Sequence, residues 1–264
     1  MASRTFWPND HVAYNQPFPA YIVHSEPWRD LHRHVIFLSP RYGLLSAFLY
    51  GAVSKRNPLR ATAQSFSFGQ LSLKPGKQIQ IADWHLEAPS LVLHTPSCVE
   101  TYRHAGLWSE LLLYSHGSGP AQLFAELRSL LSSVLHFDSK DHCHLASLRF
   151  LWQFLLREGF RPGLSRCHHC DHSFQLLSES LFFSRGSELF CRRCARSREG
   201  HYLNRDELNL LCWAEQDLAD FVRQDEFFFG IRSGHYALIA AQMLGLLQDH
   251  LELLLGRKLY SRDI

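Results

Sequence analysis

At 264 residues the chain exceeds the usual size of a single domain, so two or three domains are expected. Its 46% hydrophobic and 20% charged residues exclude gross disorder, and no run approaches 18 consecutive apolar residues, so no membrane span is expected. The net charge of +2 conceals a division: residues 1–86 carry nine Lys/Arg against four Asp/Glu, residues 161–200 seven against four, and the remainder eleven against seventeen. Basic character is confined to the N-terminal third and one later segment, where a polyanion would be held.

The first 15 residues mix Arg4, Trp7, Pro8 and Asp10 and lack an apolar core, so no secretory leader is expected. Between 20 and 88 the pattern predicts five strands, at 20–25, 34–38, 44–53, 65–73 and 79–86. Glu26-Pro27, Ser39-Pro40 and Lys74-Pro75-Gly76-Lys77 supply breaks, and Gly69-Gln70 an irregularity within the fourth run. Five short strands with little helix signal suggest a small β-barrel. The OB-fold is the five-stranded example, and another small barrel or sandwich fits the same pattern.

After Pro89 the period changes from two to 3.6. Helices are expected from Pro96 to about 115, from Pro120 to about 137 and from Asp141 to 158. Asn204 with Glu207 three residues on forms a capping box that opens a helix to about 223. A last helix, 235–255, ends at Gly256 before Arg257 and Lys258. The expected class is α+β multidomain: an extension at 1–19, a barrel at 20–88, and one helical domain in two parts, 89–163 and 201–264. A small module at 164–200 is inserted between those parts.

That module carries Cys167-His168-His169-Cys170 and Cys191-Arg192-Arg193-Cys194. Two C-x-x-C knuckles 20 residues apart have the spacing of a tetrahedral zinc site. Four protein ligands leave no open position for water or substrate, so one structural Zn2+ on Cys167, Cys170, Cys191 and Cys194 is expected. A redox reading of either pair needs a βαβ context and does not explain two matched pairs. The other cysteines, Cys98, Cys143 and Cys212, read as small buried hydrophobes, and an odd total of seven fits a reducing cytoplasm.

No G-x-x-x-x-G-K-[ST], G-x-G-x-x-G or H-E-x-x-H motif is present, and the 17 histidines do not pair with carboxylates at ligand spacing. With no catalytic constellation, a non-enzyme is expected. Arg41, Lys55, Arg56, Arg60, Lys74 and Lys77 fall at predicted turns or strand ends, interleaved with Phe48, Tyr50, Phe66 and Phe68. Cations for phosphates and aromatic faces for bases are what a single-strand groove requires. Barrel core for the phenylalanines and a solvated loop for Lys55-Arg56 are the competing readings.

The run EPWRDLHRHVIFLSPRYGLLSAFLYGAVSKRNPLRATAQSFSFGQLSL, residues 26–73, resembles the opening domain of the RecO recombination-repair proteins. Tyr42-Gly43, Gly51-Ala52, Lys55-Arg56, Leu59 and Gln64-Ser65-Phe66 stand at the family's pattern positions. LRFLWQFLLREGFRPGLSRCHHC and the closing LELLLGRKLYSRDI are similar to later family stretches, so the likeness covers residues 20–264. Leu151 stands where the family has glutamate, and His32 and His34 follow Asp30 in the first hairpin. The resemblance implies an OB-fold, a helical domain and a zinc module. It implies a cytoplasmic, nucleoid-associated recombination mediator that binds single- and double-stranded DNA, anneals complementary strands and helps load recombinase in double-strand break and gap repair (the RecF-type pathway). Implied partners are RecR and the acidic C-terminal tail of single-strand DNA-binding protein. Arg128, Arg149 and Arg157 are the helical-domain cations that could meet its terminal carboxylate. The competing class is a zinc-containing protein–protein scaffold without direct DNA contact.

Overall fold

The computed structural model describes residues 12–55, 57, 59, 64–90, 98–115, 119–137, 140–175, 179–184, 188–196, 198–216 and 218–262. Five strands appear near the expected places: β1 (Phe18–Trp28), β2 (His32–Ser39), β3 (Gly43–Leu49), β4 (Phe68–Lys74) and β5 (Gln80–Ala88). They close into a barrel in the order β1-β2-β3-β5-β4. Every pairing is antiparallel except β3 with β5. This is the closed five-stranded, OB-type barrel anticipated by the short alternating runs. Val35 and Phe37 of β2, Leu45, Ala47 and Leu49 of β3, and Leu71 and Leu73 of β4 alternate into one core with Trp84.

The third strand ends at Leu49 and not at 53, where residues 50–53 form a turn, and two further boundaries move for identifiable reasons. β1 runs through Pro27, which pairs opposite Arg33. The strand tolerates proline there because its pairing to β4 is confined to Phe18–Tyr21, leaving the other edge without a ladder to interrupt. The fourth run starts at Phe68 instead of 65. Gln64–Ser67 is a turn in which the Ser67 hydroxyl donates to the Gln64 carbonyl at 2.5 Å and buried Phe66 adopts φ 64°.

The chain divides into two compact units. The first joins the barrel to α2 (Pro120–Phe137), where Tyr21 and Phe124 meet with ring centroids 5.1 Å apart. The sequence reading grouped 120–137 with the other helices; its contacts group it with the barrel. The second unit contains α1 (Cys98–Tyr114), α3 (Lys140–Arg157), a three-stranded sheet, α4 (Arg205–Ala214) and α5 (Leu218–Leu255). α3 packs against α4 and α5, with Trp108 of α1 and Trp152 of α3 fully buried.

Both halves of the capping box at Asn204 are present: its side chain accepts from Glu207 N–H, and Glu207 accepts from the Asn204 N–H. The helix it opens stops at Ala214, not near 223. Side chains from α3 end it: Gln153 Nε2 donates to the Ala214 carbonyl at 2.6 Å, and Arg149 Nη2 donates to the Gln216 carbonyl at 3.1 Å. α5 then runs from 218 to 255, so the segment expected to begin at 235 is the latter half of one longer helix. Gly256 ends it with φ 65°, its N–H on the Leu253 carbonyl and the next N–H on Glu252, a Schellman closure. The stretch His235–Leu255, with mean hydropathy 1.3, is apolar and long enough to cross a membrane by length and composition. Ala240, Met243, Leu247 and Leu251 on it are instead buried within the protein.

Gly69 sits where β4 and β5 shift register, and a Cβ there would stand 2.2 Å from the His85 carbonyl oxygen. Since that atom is backbone, relief requires the ladder itself to move. Gly69→Ala is expected to destabilise the barrel by about 1–3 kcal/mol, read as a lower urea midpoint at unchanged slope. An unchanged midpoint would show that the bulge gives way without cost.

Candidate nucleic-acid interface and metal centre

The outer face of β1, β2 and β3 carries rings instead of the usual mixed polar surface. The strand register places Trp28 opposite His32, Glu26 opposite His34, and His34 opposite Phe48. Trp28 lies 4.5 Å from Phe48 and 5.8 Å from His32, centroid to centroid. His32 lies 4.7 Å from Tyr50, and His34 5.0 Å from Phe48. Trp28, His32, His34 and Phe48 are half-buried and Tyr50 is exposed. Alternation explains the arrangement: with Ala47 and Leu49 turned into the core, Phe48 must face outward.

Cations border these rings. The Arg29 guanidinium carbon sits 4.3 Å over the Trp28 ring, within cation–π range. Arg33, opposite Leu49 and so on the inward side of β2, donates to Ser25 through its Nε and Nη2 and is not part of the ring face. Lys55 is exposed in the turn after β3, a turn tied to the first hairpin by Val53 N–H on the Leu31 carbonyl. Lys74 and Lys77 are exposed around the β4–β5 turn, which passes the end of β3 where Phe48 N–H donates to the Ile79 carbonyl at 2.9 Å.

The candidates from sequence therefore separate. Lys55 follows the end of β3 that carries Phe48 and Tyr50, and Lys74 pairs with Gln80, which pairs with Phe48, with Lys77 in the turn between. Arg41 lies in the β2–β3 turn, at the opposite end of both strands, with its guanidinium 5.2 Å from the Tyr42 ring. Arg56 and Arg60 lie outside the described residues. Phe66 is buried, and Phe68 packs on Tyr21 and Phe124. Trp28 and Arg29 were missed because a Trp-Arg pair before a turn has no periodic signature; the cross-strand register alone assembles the face.

Of the arginines considered for a partner tail, Arg128 on α2 is exposed. Arg149 is buried and donates to Gln216, so it serves the end of α4. Arg157 is half-buried, its guanidinium 5.9 Å from the Phe150 ring.

The cysteine module is a small ribbon: β6 (Leu181–Ser184), β7 (Leu189–Cys191) and β8 (Gly200–Leu203), in the order β7-β6-β8. Each Cys-x-x-Cys folds as a turn. Asp171 N–H returns to the Cys167 carbonyl, and the N–H groups of Cys194 and Ala195 return to that of Cys191. The four sulfurs lie within 4.8 Å of one another and could hold a metal ion. Burial opposes ionisation of Cys167, yet N–H groups of Cys191, Cys170 and His169 aimed at its sulfur hold the thiol down to about 6. Burial, with the other three sulfurs beside it, pushes Cys194 up to about 12. Four thiolates this close ionise together only beside a cation. His168 pairs outward with Glu188 at 2.9 Å, as a surface residue does. Arg192, Arg193 and Arg196 are exposed on the same module, and Arg198 stacks 4.0 Å over Phe190.

No protein-family model matches the chain. It is similar to the DNA repair protein RecO of Dehalococcoides mccartyi, 22% identical over 198 residues, covering 75% of this chain and 77% of that one. RecO of Heliobacterium modesticaldum is 26% identical over 166 residues, with coverages of 60% and 56%. RecO of Desulfitobacterium hafniense is 25% identical over 176 residues, with coverages of 66% and 63%. The last two matches span less than two thirds of the relatives' own length. Matches of this extent to one named protein in three genera accord with the barrel-then-helices architecture: the chain is similar to the RecO DNA repair proteins.

Proposed function

We propose that this protein is a non-enzymatic DNA-repair factor whose barrel binds single strands and brings complementary ones together. The observation that carries this reading is the outward ring face with cations at its border. Bases stack on aromatic faces whatever their sequence, while lysines and arginines neutralise phosphates and release counterions. Annealing breaks no covalent bond. It requires only that two polyanions be held close with their bases accessible, and the exposed arginines of the ribbon offer a second basic surface for a duplex.

The relatives' name supports a repair role, and the finer assignments follow the resemblance: recombinase loading in break and gap repair, association with RecR, and capture of the acidic tail of single-strand DNA-binding protein. Arg128 and Arg157 are separate candidates for that tail's carboxylate, whereas Arg149 is engaged at the end of α4. Such a protein acts in the cytoplasm at the nucleoid. We assign Zn2+ to the cysteine cluster as one structural ion. A tetrahedral zinc with Zn–S bonds of ~2.3 Å has an edge of about 3.8 Å, and the sulfurs of Cys170 and Cys191 are 3.8 Å apart.

Replacing Lys55, Arg56, Lys74 and Lys77 together is expected to weaken single-strand binding and flatten its salt dependence by about 0.7 in log–log slope per lost contact. An unchanged slope in filter binding at low and moderate salt would assign phosphate contact elsewhere. No binding by the intact protein would favour the scaffold reading.

For the metal, the purified protein is expected to contain one zinc per cysteine cluster. Cys167→Ser is expected to lose that zinc and make the ribbon sensitive to protease, because structural sites contribute about 10–16 kcal/mol of binding free energy to folding. Full metal content in the Cys167→Ser protein would refute the four-sulfur assignment.

A further inference from the structure

One other group of side chains is arranged as metal ligands are. Contrary to the expectation that no histidine pairs with a carboxylate at ligand spacing, Glu100 and His104 are four residues apart on α1 and so share a face, and His144 reaches them from α3. One donor atom from each lies within 4.8 Å of the other two. His144 Nε2 is 4.0 Å from Glu100 Oε1, and the two imidazoles meet edge to face with centroids 4.8 Å apart. An ion with bonds of ~2.0–2.1 Å holds tetrahedral donors about 3.3 Å apart, so small rotamer changes close the set.

A second observation concerns the ring of His104. Its Nδ1 is 2.8 Å from Ser147 Oγ, and that fully buried hydroxyl also accepts Trp108 Nε1–H at 2.8 Å. Ser147 can accept a second proton, from Nδ1–H, which leaves the Nε2 lone pair for an ion. Ligating histidines are commonly held in this way, through the ring nitrogen that does not bind metal. Among the described residues Glu100 has one competing contact, Arg103 Nη1 at 3.9 Å, and that arginine side chain is 55% exposed and able to turn away.

We propose that Glu100, His104 and His144 form a second metal site, distinct from the cysteine cluster, for a divalent first-row transition ion such as Zn2+ or Ni2+. Two imidazoles and one carboxylate suit these ions, whereas Ca2+ and Mg2+ prefer all-oxygen shells and thiolates select softer ones. Three protein ligands leave the remaining coordination to water. The ion clips the first turns of α1 to α3, joining two helices where no backbone ladder connects them.

The test uses the full-length, untagged protein with its cysteine cluster saturated with zinc, dialysed to equilibrium against Ni2+. The expected result is one bound nickel per chain and a nickel-dependent rise in melting temperature, both abolished by His144→Ala and by Glu100→Gln. Ser147→Ala is expected to weaken nickel binding by about 10–100-fold, the usual effect of losing an outer-shell partner. His34→Ala serves as the control, since His34 and His24 flank Glu26 on the barrel at 3.1 and 3.8 Å. Failure of the wild type to bind nickel, nickel retained by both ligand variants, or nickel lost in His34→Ala would each overturn the proposal.

Discussion

The barrel closes through one short parallel contact, Phe48 opposite Gln80, where Phe48 N–H meets the Ile79 carbonyl. The remaining ladders are antiparallel pairs of adjacent or returning strands, and they would form a curled open sheet without it. Closure does two things at once. It removes the unpaired edges of β3 and β5, which would otherwise be templates for aggregation. It also fixes the β4–β5 turn, which carries Lys74 and Lys77, beside the end of β3 that carries Phe48. The proposed binding of a polyanion rests on this single register, because cations and stacking faces cooperate only when their spacing is fixed.

Much of the fold was legible in the sequence because it rests on local rules. Short apolar or alternating runs between turn signals placed all five strand cores within a few residues, and Gly69 marked the bulge. The Asn204–Glu207 box gave a helix start, and Gly256 a helix end. What local rules missed was set by residues distant in sequence. No signal near Ala214 ends α4; Gln153 and Arg149 do so from α3. No signal in 120–137 assigns that helix to the barrel; its contact with Tyr21 does.

The candidate sites divide in the same way. The cysteine quartet was readable because knuckle turns and metal chemistry dictate spacing along the chain. The ring face was half readable: Phe48 and Tyr50 were visible as aromatics, but Trp28 joins them only through antiparallel register. Arg149 shows the opposite hazard. Charge alone made it a candidate for binding a partner, while burial and geometry make it a cap for a neighbouring helix.

That cap bears on how the ribbon is attached. Gln153 and the Ala214 carbonyl stand 61 positions apart along the chain, and their contact encloses the whole cysteine module within one loop. Loop-closure entropy grows only logarithmically with length, so once α3 and α4 are joined the enclosed segment can vary in size at little further cost. The ribbon is thus a pendant whose two stems are already clamped. A metal on the four sulfurs would order the pendant without being asked to hold the helices together, which allows the module to change or shrink while the helical body stays intact.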